Sequence, residues 1–146
     1  MKKKTLIILT IFLLWISFAS IAIGQTSDKG WEKTVTLPNG EVILDMSGEW
    51  DVLYENYGPS SREDHSEIAE VKQEGSSFVA VALTDTDYIT KGTEILKGEL
   101  DKNGFKKVQT MTEVGQFEFN SEILLKGNKI IFDEGQMLKL TFNRKP

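Results

Sequence analysis

Glycine-bearing turns interrupt the chain at short intervals from residue 33 to its end, and this spacing restricts the fold more than any other feature. They fall at Pro38-Asn39-Gly40, Glu74-Gly75, Asn103-Gly104, Gly127 and Gly135. The runs between them alternate apolar and polar side chains, as half-buried strands do, and Asn-Gly supplies the positive φ angles of a tight hairpin. Nine or ten short strands follow from this beat, with a hairpin over 33–46 and a long ribbon beginning near Gly48. Residues 60–71 are the one stretch where a helical turn could precede a strand. Many short strands with turns between them indicate a barrel or a sandwich.

Alternate residues on a strand face opposite sides. Trp50, Val52 and Tyr54 share one face of the first long ribbon. Leu138, Leu140 and Phe142 share one face of the last, and Arg144 falls on that same apolar side. "FVAVAL", residues 78–83, is apolar on both faces, which implies cover on its outer side, with the 33–46 hairpin as a candidate.

The first residues carry a different message. Lys2, Lys3 and Lys4 precede an apolar run from Leu6 to Ile23 broken only by Thr10, Ser17 and Ser20, and no acid occurs before Asp28. This is the pattern of a secretory signal at 1–24, with Ala22 and Gly24 at the small-residue positions of a cut. The alternative is an uncleaved anchor over 5–23, since about 18 apolar residues can span a bilayer. Either reading makes the body extracytoplasmic, secreted or periplasmic, touching membrane only through the uncleaved segment. Residues 25–32 form a polar lead and 33–146 a single domain.

The chain has 17 basic and 22 acidic side chains; without 1–24 the balance is 14 against 22, a net charge of −8. Such a surface argues against a nucleic-acid partner, whose phosphates require Lys and Arg. The sequence contains no Cys, which removes thiol chemistry, cysteine-zinc sites and disulfides, so packing alone must hold the fold.

Gly48-Glu49-Trp50 resembles the G-x-W motif of the lipocalins and the wider calycin superfamily. In those proteins the Trp lies across the closed end of an up-and-down barrel, beneath an Arg or Lys from the last strand. The resemblance implies an all-β antiparallel barrel of about eight strands with an added N-terminal hairpin, and a structural cap of Gly48, Trp50 and Arg144. A β-sandwich is the alternative fold. Departures are the absence of a C-terminal helix and of the disulfide common in secreted members. Thr86-Asp87-Tyr88 copies the letters of the family's T-D-Y motif, with nothing in the sequence to place it in the family's turn.

An eight-stranded barrel encloses its own side chains or one small ligand. The expected lining is Val52, Tyr54, Phe78, Ala80, Ala82, Phe117, Phe119, Leu138 and Leu140, with Tyr57, Tyr88 and the 56–66 loop around the mouth. The implied function is binding of a small hydrophobic or amphipathic ligand. The alternative is a cavity-free envelope module that binds protein or glycan. His65, the sole histidine, stands among Glu63, Asp64 and Glu67 in what reads as a solvated polar loop. Asp85 and Asp87 read as an Asp-rich turn in preference to a calcium site. No nucleophile elbow, phosphate loop or second histidine for a relay is present, so neither an enzyme, a metal nor a cofactor is expected.

Overall fold

The computed structural model describes residues 31–56, 63–112, 115–120, 123–135 and 137–146, with Met111 and Thr112 as backbone only. The expected signal at 1–24, most of the polar lead and Tyr57 lie outside these residues.

The fold is all-β. A small hairpin, β1 (Thr34–Thr36) and β2 (Val42–Leu44), precedes nine strands: β3 (Gly48–Asn56), β4 (His65–Glu74), β5 (Ser77–Ala82), β6 (Glu94–Asp101), β7 (Gly104–Thr112), β8 (Gly115–Glu118), β9 (Ile123–Lys126), β10 (Lys129–Asp133) and β11 (Leu138–Arg144). These nine form one antiparallel sheet in the order β8-β7-β6-β5-β4-β3-β11-β10-β9, curled into a half-barrel. Consecutive strands are neighbours throughout β3 to β8. The last strand returns to the first long one, with Arg144 opposite Trp50, Phe142 opposite Val52 and Leu140 opposite Tyr54.

Residues 116–125, an unbroken run between Gly115 and Gly127 that reads as one strand, contribute instead to two strands. β8 pairs with β7, whereas β9 pairs with β10. Phe119 N still donates to Val108 O at 2.9 Å beyond the end of β8, and Asn120 N donates to Glu134 Oε1 on the other side at 2.5 Å.

Two register shifts help the sheet to curl, one between Ala80 and Val81 in β5 and one between Glu99 and Leu100 in β6. An extra residue on one strand bends it and increases its twist. Beside the second shift, Gly98 has no room for a side chain. A Cβ there would run into the Lys107 carbonyl and lie 2.8 Å from the Phe78 ring. Glycine at this point lets β6 and β7 turn sharply around Phe78.

The concave face holds the core. Trp50, Val52, Ala69, Val71, Phe78, Ala80, Leu96, Val108, Ile130, Phe132, Leu140 and Phe142 are buried. A chain of edge-to-face aromatic contacts crosses the core: Phe78–Phe105 at 5.8 Å, Phe105–Phe132 at 5.3 Å, Phe132–Phe142 at 5.5 Å and Phe142–Trp50 at 6.1 Å between centroids. Such pairs add about 0.5–1.5 kcal/mol each beyond their buried area. On β5 the outward Val79 and Val81 are half-buried. The hairpin's β2 packs against β6.

The hairpin and the segment after it lie against the lower end of the sheet, where β3 begins. Met46 N donates to Gln73 Oε1 at 2.7 Å, Gln73 Nε2 donates to Leu44 O at 3.1 Å, and Lys102 N donates to Glu41 Oε1 at 2.7 Å. These bonds fasten the segment to the β4–β5 and β6–β7 ends, and Ile43, Leu44 and Met46 are buried beneath them. Trp31, assigned from sequence to a polar lead, is also buried. It bridges to Gly127 and lies close to Gly104.

Candidate functional site

The two ends of the concave face differ in chemistry. At the lower end, Gly48 enters β3 at φ +119°, a backbone conformation that L side chains rarely adopt. Two residues later the Trp50 indole is 1 % exposed, and its Nε1 donates to Met46 O at 2.9 Å. The Arg144 guanidinium lies over this ring, its carbon 4.2 Å from the centroid. Arg144 Nη1 donates to Ser47 O at 2.7 Å and Nη2 donates to Asp45 O. Burial lowers the Arg144 pKa, while Asp45 and Glu32 oppose that shift. One cation thus covers an aromatic face and satisfies two carbonyls of the segment leading into β3.

At the upper end the inner wall becomes polar. β4 begins at His65, earlier than the sequence suggested, and alternation turns His65, Glu67, Ala69 and Val71 inward. Tyr54 lies opposite His65 in register, and the two rings stack at 4.5 Å and 6°. Tyr88, from the loop joining β5 to β6, packs against the imidazole at 4.7 Å. The Tyr54 hydroxyl donates to Glu67 Oε1 at 2.6 Å. Glu67 is 4 % exposed, and its other oxygen, Oε2, is buried without a hydrogen-bond partner among the described residues. His65 Nε2 is buried and unpartnered in the same way.

Burial raises the Glu67 pKa, and the Tyr54 hydrogen bond partly offsets this. An acid whose folded pKa exceeds its unfolded one holds its proton more tightly in the folded chain. Stability therefore rises as pH falls through the folded pKa, and the gain is complete below the ordinary value of 4.5. Glu67→Gln keeps an acceptor for Tyr54 and removes the charge. The variant should melt above the parent at neutral pH, with the gap narrowing as pH approaches 4.5. Thermal melts across that range check this, and a gap that stays constant or widens on acidification contradicts it.

Of the other lining candidates, Val52, Phe78, Ala80, Ala82, Phe119 and Leu140 are buried on the inner side, while Phe117 and Leu138 are half-buried. Phe119 contacts both Phe117 and Phe132, at 5.6 Å each. Asp85 Oδ1 accepts from Lys91 N at 2.8 Å, and Thr86 Oγ1 accepts from Ile89 N at 3.0 Å, so these polar groups hold the loop together. Among the described residues no group of three metal-ligating side chains converges. A groove of about 780 Å³ runs across the outer face of β4–β7. Its lysines are already paired, Lys72 with Glu70, Lys97 with Glu94 and Lys107 with Glu118.

Sequence reading missed His65 and Glu67 as inward residues. The available signal was the alternation His65-x-Glu67-x-Ala69-x-Val71, which was masked because polar residues occupy the first two inward places. Compared with protein-family models, curated proteins and solved structures, the chain has no match.

Proposed function

We propose that this chain is an exported, lipocalin-like barrel that holds a small amphipathic ligand inside the upper half of its curled sheet. The observation that carries this reading is the polar wall formed by buried Tyr54 and Glu67 and half-buried His65 on a mainly apolar inner face. A filled core has no use for an acid whose second oxygen is buried and unpartnered, because such a group costs stability unless something pairs with it. Binding sites combine an apolar lining with a few convergent polar groups, and this wall has that composition.

Closure into an eight-stranded barrel is part of the proposal. Its support is the run 115–126, whose first part pairs with β7 and whose second part pairs with β10. Counted as one ribbon, it joins the two borders of the sheet, and eight ribbons then follow in cyclic order. Arg144 over Trp50 serves as the base of that barrel. The aromatic chain from Phe78 to Trp50 fills the lower half, so ligand occupies only the region above Phe132 and Phe142.

The test is titration with N-phenyl-1-naphthylamine, an uncharged probe that fluoresces in apolar surroundings. Saturable enhancement, reversed by an alkyl competitor such as decanol, is expected. No enhancement, or enhancement that decanol leaves unchanged, favours the cavity-free module and contradicts the cup.

A further inference from the structure

We propose that the inner wall recognises a primary amine: the ligand's head is a protonated alkylamine whose N–H groups bond to Glu67 Oε2 and His65 Nε2. The inference rests on the cup reading above and adds the chemical class of what the cup holds.

Hydrogen-bond roles carry the argument. His65 Nδ1 lies 3.1 Å from the Glu63 carbonyl oxygen. A carbonyl only accepts, so Nδ1 bears the proton, and in a neutral imidazole Nε2 is then a bare lone pair. The Tyr54 hydroxyl donates to Glu67 Oε1, leaving Oε2 as a second acceptor without a donor. Both orphan atoms belong to neighbouring inward residues on β4 that Tyr54 ties together, its ring stacked on His65 and its hydroxyl bonded to Glu67. With Glu67 ionised and His65 neutral, both unpartnered atoms are acceptors, and the wall supplies no donor for either.

A carboxylate head would add acceptors to acceptors. A hydroxyl head offers one donor for two sites. A primary ammonium offers three donors and a positive charge, which satisfies both atoms and compensates the buried carboxylate. The rings of Tyr54 and Tyr88 that flank His65 also suit a cation. Apolar lining beside this wall, from Val52, Leu140 and Ala82, suits an alkyl body.

The experiment compares decylamine, decanol and decanoate as displacers of N-phenyl-1-naphthylamine from the full-length chain. Decylamine should displace the probe at concentrations about tenfold lower than decanol, with decanoate weakest. In Glu67→Gln, checked for native circular dichroism, the amine should lose most of its advantage over decanol, the ratio of their displacing concentrations falling towards one. Asp51→Asn, which removes an exposed outer-face charge, should leave the amine preference intact. Equal affinity for amine and alcohol, or an amine preference that survives in Glu67→Gln or vanishes in Asp51→Asn, overturns amine recognition and leaves the cup standing. Failure of all three molecules to displace the probe overturns the cup and the amine proposal together.

Discussion

Trp50→Ala should destabilise the folded chain by about 3–5 kcal/mol, read as a drop in denaturant midpoint at unchanged slope. The ring is 1 % exposed, touches Phe142, and anchors Met46 through its indole N–H. Removing it empties a large volume beneath the guanidinium and deprives Arg144 of its aromatic face. Arg144→Ala should cost less, about 1–3 kcal/mol, chiefly by leaving the Ser47 and Asp45 carbonyls without donors. Because the two side chains are in contact, the double variant should lose less than the sum of the single losses. A Trp50→Ala loss below about 1 kcal/mol, or strict additivity with Arg144→Ala, contradicts a packed base.

Phe132→Ala should have an effect of similar size, about 3–5 kcal/mol. Phe132 is fully buried, and its ring meets Phe105 of β7, Phe119 beyond β8, and Phe142 of β11. It therefore ties β10 and β11 to the strands on the far side of the division in 115–126. Phe132→Leu, which keeps most of the volume, should cost under about 1.5 kcal/mol. Hydrogen exchange in Phe132→Ala should quicken first in β8 and β9, the two borders of the sheet. Equal acceleration in β3 and β4, with no preference for those borders, contradicts this role for Phe132.

Much of the architecture is legible in the sequence because local rules and the final fold agree. The turn at Pro38-Asn39-Gly40 closes the hairpin as its composition indicates, with Gly40 N donating to Leu37 O at 2.8 Å. Alternation assigns Trp50, Val52 and Tyr54 to one buried face of β3, and glycines at 75, 104 and 127 separate antiparallel neighbours. The all-β class and the neighbour order of the meander follow from these features.

The division of 115–126 is not legible, because nothing local distinguishes a strand that changes partners from one that keeps them. That outcome depends on the curl of the whole sheet. The burial of Trp31 is hidden for a similar reason, since its polar neighbours give no hint that the segment lies against Gly104 and Gly127. His65 and Glu67 were obscured by chemistry. Binary patterning assigns polar residues to water, so a strand that turns an acid and an imidazole inward reads as loop.

The most direct measurement uses the fact that the chain has a single histidine. Its imidazole gives one set of side-chain resonances, which can be followed by NMR while decylamine is added. Saturable shifts are expected for the His65 ring signals and for the Val52, Ala82 and Leu140 methyls, with the outward Leu53 and Leu124 methyls unmoved. Shifts confined to Leu53 and Leu124, with His65 and the inner methyls silent, would place the ligand on the outer surface and contradict the account.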